Sequence, residues 1–327
     1  MTGQDDPDRK PSSEGVALAA ERVAALLPPT PLLPLEIDGI TIWCKAECDQ
    51  PVGAFKIRGG IHRIADLTEQ QAARGVVAFS SGNHAQGVAW AARKRDVSAT
   101  IVMPSDAPAA KVNGTRKLGA EIIFYDRSTE SREEIAAGIA AESGAVLIPS
   151  FADPWIVEGQ GSCGHEIRQQ LLDGAGYAPD QIVTCCGGGG LSAGITLANP
   201  DARIVIVEPV GWDDMGASLR HGVIEPVGPN PPPTACDALQ TLKVSPITFD
   251  ILRDRGAVGV AVTEGEVAAA MKLAFEKLSR RLEPGGAVAL ASVLSGKVAP
   301  TDRTAVTLSG GNVDPAIFAR MTGLPAS

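Results

Sequence analysis

The chain has 327 residues, 44% hydrophobic and 20% charged, with a formal net charge of -9 and a pI near 5.1. This is ordinary globular composition, long enough for one large domain or two moderate ones. A strongly basic face for nucleic acid is not expected, and no apolar run approaches the ~18 residues of a membrane helix.

The polar, acidic stretch from Met1 to Pro11 does not read as a secretory signal, so the cytoplasm is the expected compartment. Six cysteines in a chain this long form no disulfide framework. Cys44 and Cys48 lack a Cys/His pair at finger spacing, so no structural zinc is expected.

Residues 1–12 read as a frayed tail. Ser12 or Ser13 can cap a helix to about Leu27, with Val16, Ala19, Ala20, Val23 and Leu27 along one side. Pro28, Pro29 and Pro31 stop it. A short hairpin follows, with Ile40 to Lys45 as its second strand, and then a helix from about Gly60 to Leu67. From Gly75 the pattern becomes strand-helix repetition. Val76 to Phe79 is a continuous apolar run, as in a parallel sheet covered on both faces. Helices over 83–95, 109–118 and 131–142, with strands over 99–103, 121–124 and 145–148, complete a compact α/β unit. Next come a helix over 158–172, a strand over 182–186, a glycine run with a further helix, and a strand over 203–207. A proline-rich loop over 222–234 precedes a long amphipathic helix over 264–281, with Thr263 as its cap. A buried Ala-rich helix over 287–294 and a strand over 304–308 follow. No linker separates two contiguous domains, so the chain is expected to cross between lobes more than once.

The stretch from Pro51 to Gly60 carries Lys56 between Phe55 and Ile57, with glycines on both flanks. A solvated lysine needs no such frame. A lysine that holds a carbonyl compound as an imine must be partly desolvated, so that free amine can attack. A surface lysine with its stem on apolar neighbours is the competing reading. Ser80-Ser81-Gly82-Asn83-His84 lies between a strand and a helix, where parallel sheets bind ligands. Its hydroxyls, amide, imidazole and free helix N-terminal amides suit a carboxylate. A plain capping turn is the alternative.

Gly187 to Gly190 follow a strand and precede Leu191-Ser192-Ala193-Gly194. Four glycines let the backbone wrap an anion at the positive end of the next helix. The run is not the phosphate loop of nucleotide hydrolases and lacks its lysine, so a single phosphate monoester fits better. A tight strand-to-helix crossing is the alternative. Ser309 ends the last strand in another glycine turn, where a neutral hydroxyl can meet a ring nitrogen or cap a loop. Glu208 ends its strand, with Asp213 and Asp214 close behind. Hard oxygen ligands in one loop suit magnesium or calcium, and a solvated acidic loop is equally compatible.

Phe55-Lys56-x-Arg58-Gly59, Ser80-Ser81-Gly82-Asn83-His84-Ala85-Gln86-Gly87, the glycine run and Ser309-Gly310-Gly311-Asn312 occur in this order. In that combination, over about residues 16 to 315, the chain resembles the pyridoxal-phosphate enzymes of the tryptophan-synthase-β fold, or fold type II. It is most similar to their threonine/serine dehydratase and serine racemase branch. The resemblance implies an α/β fold of two open parallel-sheet lobes with pyridoxal 5'-phosphate between them. A large cofactor-binding domain over 1–66 and 149–327 and a small domain over 67–148 are expected. By the same resemblance Lys56 carries the cofactor as an imine, and Gly187, Gly188, Gly189, Gly190 and Leu191 hold its phosphate. Asn83 bonds the phenolic oxygen, Phe55 packs near the ring, Ser309 faces the pyridine nitrogen and Glu283 lines the pocket. Ser80, Asn83 and His84, beside Ser81, grip the substrate carboxylate.

Ser81 stands where many dehydratases of the branch have alanine, and where racemases and hydroxyaspartate-processing relatives have serine as an acid/base. Arg132 matches an arginine that racemase-like members turn toward bound dicarboxylates. Glu208, the backbone carbonyl of Trp212 and Asp214 fall on the branch's loop for Mg2+ or Ca2+, where Trp212 replaces the usual small residue. Cys185-Cys186 also departs from the usual lead into the glycine loop. No regulatory domain of the long biosynthetic threonine dehydratases is expected. The expected partners are a small amino-acid substrate and a second copy of the chain in a homodimer. The implied reaction is dehydration and deamination of L-serine or L-threonine to a 2-oxo acid and ammonia. In it Lys56 takes the α-proton and the β-hydroxyl leaves, while a neutral partner at Ser309 disfavours transamination. Serine racemase, 3-hydroxyaspartate dehydratase and a non-catalytic cofactor-binding protein are the rival readings.

Overall fold

The computed structural model describes residues 9–325; of the frayed tail expected over 1–12, residues 1–8 lie outside the described residues, while Arg9 and Ser12 are tied to the buried Glu158 at 2.7 and 3.0 Å. Ser12 caps α1 (Ser13–Ala24) by accepting the Gly15 N–H, and the chain leaves that helix into a hairpin of β1 (Leu32–Ile37) and β2 (Ile40–Lys45). α2 (Ile57–Ala65) begins directly after Lys56, three residues earlier than the sequence suggests. Then come α3 (Glu69–Arg74), β3 (Val76–Phe79), α4 (Asn83–Lys94), β4 (Ala99–Pro104), α5 (Ala109–Lys117), β5 (Glu121–Tyr125), α6 (Arg132–Ser143) and β6 (Val146–Leu147). α7 (Pro154–Ala175), β7 (Gln181–Cys185), α8 (Gly190–Ala198), β8 (Arg203–Pro209) and α9 (Asp214–His221) follow. The last elements are α10 (Pro246–Asp254), β9 (Val258–Val262), α11 (Glu264–Leu278), α12 (Pro284–Leu294), β10 (Thr304–Thr307) and α13 (Pro315–Thr322).

The strands form two sheets. One has the order β5-β4-β3-β6 and is parallel throughout. The other has the order β1-β2-β10-β7-β8-β9 and is parallel except for the antiparallel edge strand β1. The chain therefore enters the first sheet at β3 and returns to the second at β7. Period-2 alternation explains the apolar run of β3: Val76 and Ala78 join one core cluster and Val77 joins the cluster on the opposite face. Among the described residues no helix is long and apolar enough to cross a membrane.

α7 starts four residues before its expected beginning. Asp153 caps it, accepting the Ile156 N–H, and Pro154 sits in the first turn. Its glycines are packing devices. A Cβ on Gly159 would lie 2.5 Å from the Gly59 Cα, and one on Gly161 2.7 Å from the Gly194 carbonyl oxygen. Helices α2 and α8 thus approach α7 at backbone distance. α10 and β9 have no counterpart in the sequence expectations. β9 is a five-residue edge strand containing a glycine, which weakens its apolar signal.

Arg58, in the first turn of α2, is wholly buried. Its Nε and Nη2 donate to Glu47 at 2.6 and 2.7 Å, and its Nη1 and Nη2 to Glu166 of α7 at 2.7 and 2.8 Å. Lys45, also buried, donates to Glu166 at 2.6 Å and to the Thr30 carbonyl at 2.8 Å. Burial alone would raise the Glu47 pKa, but Arg58 and Lys45 outweigh it and hold that carboxyl at about 2. A depressed carboxyl pKa stabilises the fold above its unfolded value near 4.5, and the gain is lost as pH falls through about 2. Arg58→Ala leaves the buried Glu47 carboxylate without its paired guanidinium and should cost about 3–5 kcal/mol in urea unfolding at pH 7. The same comparison at pH 3 should show a smaller loss; an undiminished loss would mean that Glu47 is not ionised through this pair.

Candidate active site

Lys56 lies where α2, α4 and α7 converge. A Cβ on Gly60 would lie 2.7 Å from the Gly87 carbonyl oxygen, and one on Gly87 2.8 Å from the Lys56 carbonyl carbon. These two glycines let α4 cross directly over the Lys56 backbone. The Lys56 amine donates to the Ser150 carbonyl at 3.2 Å and stands 5.1 Å from the centre of the buried Phe55 ring. Desolvation lowers its pKa to about 8, against the opposing pull of Cys185 and Glu283. Lys56 is half-buried, and its amine turns to the Ser150 carbonyl and the Phe55 ring in place of solvent alone, as a partly desolvated lysine requires.

Asn83 opens α4, and Glu283 precedes α12. Asn83 Nδ2 donates to Glu283 Oε1 at 2.7 Å, and Asn83 Oδ1 accepts from Asn312 Nδ2 at 2.8 Å. Asn312 Nδ2 also donates to the Val52 carbonyl at 2.7 Å. Gly53 stands at φ +71, and a Cβ there would lie 2.3 Å from Asn312 Oδ1, so only glycine leaves room for this amide. Burial raises the Glu283 pKa to about 7, helped by Asp237 and opposed by Asn83, Lys111 and Lys56.

The glycine run links β7 to α8. Gly189 caps the helix at φ +85 with no side-chain bond, so the first N–H groups of α8 have no capping side chain. A Cβ on Gly188 would lie 2.2 Å from the Phe151 ring, and one on Gly189 2.8 Å from Met215 Cε. Thr248 Oγ1 donates to the Gly188 carbonyl at 2.8 Å. Gly190 and Leu191 form the first turn of α8, both buried. Ser309 is buried beside Cys185, whose thiol it hydrogen-bonds; burial pushes that thiol up to about 11. The Ser309 carbonyl accepts the Phe55 N–H at 3.1 Å, which ties the last strand to the lysine segment.

Ser80 and Ser81 are half-buried in the turn between β3 and α4, and Ser80 Oγ accepts the Gly82 N–H at 3.1 Å. Gly82 caps α4 without a side-chain bond, which leaves backbone N–H groups of the first turn without a capping side chain. The His84 ring departs from its expected role. Its Nε2 lies 2.9 Å from the Ile148 carbonyl, which can only accept, so Nε2 carries the proton and Nδ1 is a buried lone pair without a partner. Burial, then the Lys56 charge, drive its pKa down to about 3. Such a ring offers no proton to a carboxylate; the backbone N–H of the α4 first turn is the group able to do so. Arg132 stays outside this cluster. Its side chain is 48% exposed, donates to Glu133 at 2.8 Å and stands 5.6 Å over the Phe79 ring, next to Ser80.

The acidic loop is separate. Glu208 is fully buried, and its two oxygens accept the Met215 and Gly216 N–H groups at 3.0 and 2.8 Å. Trp212 is buried, with Nε1 donating to the Pro232 carbonyl at 2.8 Å. Both Asp214 carboxylate oxygens are buried without a well-formed hydrogen bond. Burial lifts the Asp214 pKa to about 7, against weak help from its own N–H and those of Val244 and Met215. Among the described residues no group of three or more His, Cys, Asp or Glu side chains is arranged to hold a metal.

Several members of this cluster carry no usable signal in sequence. Phe151 under the glycine run, the Ser150 carbonyl at Lys56 and Thr248 at Gly188 come from loops and helices distant in the chain. Asn312 closes the Ser309-Gly310-Gly311-Asn312 motif without an expected part, and nothing in the sequence places it opposite Gly53.

A family model described as "Pyridoxal-phosphate dependent enzyme" matches residues 23–310. An L-threonine ammonia-lyase of Thermotoga maritima is 39% identical, over 85% of this chain and 69% of its own. An L-threo-3-hydroxyaspartate ammonia-lyase of a Pseudomonas species is 38% identical, over 93% of this chain and 96% of its own. The solved structure of maize serine racemase superposes with a TM-score of 0.88 at 35% identity, covering 95% of this chain and 97% of that one. The chain belongs to the pyridoxal-phosphate dependent enzyme family, and its two α/β sheets are the architecture of fold type II. The residues fit the cofactor: a run of four glycines, where a Cβ on Gly188 or Gly189 would strike Phe151 or Met215, leads into a helix start without a capping side chain, and a half-buried amine of lowered pKa stands in the same cluster.

Glu283 gives a test of the electrostatics. Its folded pKa is raised, so its stabilising protonated form prevails below about 4.5 and is lost as pH rises through about 7. Glu283→Gln keeps an acceptor for Asn83 and cannot ionise. In cofactor-free protein the variant should gain stability over wild type between those pH values, reaching up to roughly 3 kcal/mol at pH 8. A stability difference independent of pH would show that Glu283 ionises normally.

Proposed function

We propose that this chain is an ammonia-lyase for a small β-hydroxy-amino acid, L-serine or L-threonine, which it converts to a 2-oxo acid. One water leaves with the β-hydroxyl and one is taken up on hydrolysis, so the net loss is ammonia. The observation that carries this reading is the half-buried Lys56 amine, with its pKa lowered to about 8, in the same cluster as a four-glycine turn that opens a helix without a capping side chain. Relatives named as ammonia-lyases for L-threonine and L-threo-3-hydroxyaspartate support the reaction class.

In this proposal Gly187 to Gly190 and Leu191 hold the phosphate, Asn83 donates to the phenolic oxygen, Phe55 and Glu283 line the ring, and Ser309 meets its nitrogen. Bound there, pyridoxal phosphate supplies an electron sink for the carbon that bears the amino group. Lys56 is partly neutral near pH 7, so Nζ can accept the α-proton. Ser80, Asn83 and the backbone start of α4 grip the substrate carboxylate. Ser81 is the candidate acid on the other face. The proposed division into a large domain over 1–66 and 149–327 and a small one over 67–148 is supported by β3 to β6, which all lie within 67–148.

A 3-hydroxyaspartate substrate is the second reading. Arg132 favours it, because its guanidinium stacks on Phe79, one residue from Ser80, and could meet a second carboxylate. Incubation with L-serine, L-threonine, both serine enantiomers and the hydroxyaspartate isomers separates the readings. The expected result is 2-oxo acid from L-serine or L-threonine, a borohydride-reduced adduct on Lys56, and about a thousandfold loss of turnover in Lys56→Ala. Dominant enantiomer exchange with little oxo acid would make the protein a racemase. Oxo acid from hydroxyaspartate alone would keep the reaction and replace the substrate. Full turnover in Lys56→Ala would end the proposal.

Magnesium or calcium is proposed at Glu208, the Trp212 carbonyl and Asp214, supported by the two buried Asp214 oxygens that lack well-formed hydrogen bonds. A cation at a hundred times its Kd stabilises the fold by about 2.7 kcal/mol. EDTA should therefore lower the melting temperature, magnesium should restore it, and Asp214→Asn should remove the response. An EDTA-insensitive melting temperature with no metal released would count against the site.

A further inference from the structure

A backbone carbonyl can only accept a hydrogen bond, and this decides the orientation of three side chains in a row. The Asn312 amide atom 2.7 Å from the Val52 carbonyl must be its nitrogen. The same nitrogen lies 2.8 Å from the Asn83 amide, so the Asn83 atom that meets it must be oxygen. The other Asn83 amide atom is then nitrogen, and it donates to Glu283 Oε1 at 2.7 Å. One N–H of Asn83 goes to Glu283, and the second has no protein partner among the described residues. The donors therefore point outward from Asn312 Nδ2, to the Val52 carbonyl on one side and to Asn83 Oδ1 on the other, and Asn83 Nδ2 passes the same direction on to Glu283. Gly53 keeps the seat of Asn312 open, since any Cβ there would collide with its Oδ1.

We propose that Asn312 is a positioning residue that locks the Asn83 amide with its nitrogen toward Glu283, so that Asn83 presents a donor rather than an acceptor to the cofactor's phenolic oxygen. The inference rests on the proposed cofactor contact of Asn83. Without Asn312 the two amide orientations differ little in size and shape, and only the hydrogen-bond partners choose between them. With an acceptor in place of the Asn312 nitrogen, the Asn83 amide turns over. Its oxygen then faces both Glu283 and the cofactor oxygen, acceptor against acceptor.

The polarity can be reversed on purpose. Asn312→Asp supplies an acceptor of the same shape, and Glu283→Gln supplies a donor at the far end. In the double variant the turned Asn83 amide is satisfied on both sides. The measurements are the melting temperature without cofactor, the cofactor dissociation constant, and the pH dependence of the bound cofactor's absorption band. Asn312→Asp should weaken cofactor binding about tenfold, the equivalent of one hydrogen bond, and shift the midpoint of the band's pH titration. The double variant should recover part of the cofactor-free melting temperature that Asn312→Asp loses, the Val52 carbonyl lacking its donor in both, while affinity and band stay altered. A merely structural role predicts that fold and cofactor binding recover together, and that result would overturn the inference. Should Asn312→Asp alone fail to fold, the double variant still decides it. Wild-type affinity and band in that double variant would be equally fatal. Asn83→Ala separates the premise from the inference. If it binds cofactor as wild type does, the Asn83 contact itself is wrong; if it binds weakly while Asn312→Asp is unaffected, only the positioning role fails.

Discussion

The guanidinium of Arg58 has no water to turn to. It is wholly enclosed, and Glu47 and Glu166 take its N–H groups from two sides. Those carboxylates belong to the turn after β2 and to α7, so one cation joins three segments remote in sequence. A buried ion pair is weak evidence for net stability, since desolvating the charges offsets most of their attraction. Its consequence is positional. Arg58 lies two residues from Lys56, and any displacement of α2 would separate the buried Arg58 and Glu47 charges from each other.

Around that anchor the helices are held at backbone distance by glycines. Gly59 meets Gly159, and Gly60 meets Gly87. Close approach removes water from the space around Lys56, and one burial has opposite effects on its two ionisable neighbours. It lowers the lysine toward 8 and raises Glu283 toward 7, because desolvation penalises whichever form is charged. An amine and a carboxyl that would be firmly charged in water are both brought to titrate within about one unit of pH 7. This is the electrostatic condition for moving protons near pH 7.

Polar contacts between the two sheet-bearing parts converge on Glu283. Asn83, at the first turn after β3, bonds Glu283 and Asn312 of the six-stranded part. Lys111 on α5 bonds Asp237 at 2.7 Å, on the other side. Each contact also acts on Glu283, so the charge of that carboxyl is coupled to how the sheets sit together.

The sequence alone determined the strand-helix alternation, because a parallel sheet covered on both faces demands continuous apolar runs such as Val76 to Phe79. It also marked Lys56, the glycine run and the Asn83 turn, since each needs residue types that ordinary packing does not require. The starts of α7 and α12 were missed by a few residues, although Asp153-Pro154 and Glu283-Pro284 stood there as local signals; glycine-rich helices blur the periodicity on which boundaries depend. The folded chain decided what no spacing encodes. The His84 proton sits on Nε2 because the Ile148 carbonyl lies opposite it, and Arg132 remains at the surface on Phe79. Phe151 lies beneath the glycine run, and the Val52 carbonyl orients Asn312 and through it Asn83. Each of these depends on which backbone atom faces a side chain from a distant segment. Hydrogen-bond direction and desolvation are properties of that juxtaposition, and residue identity fixes neither.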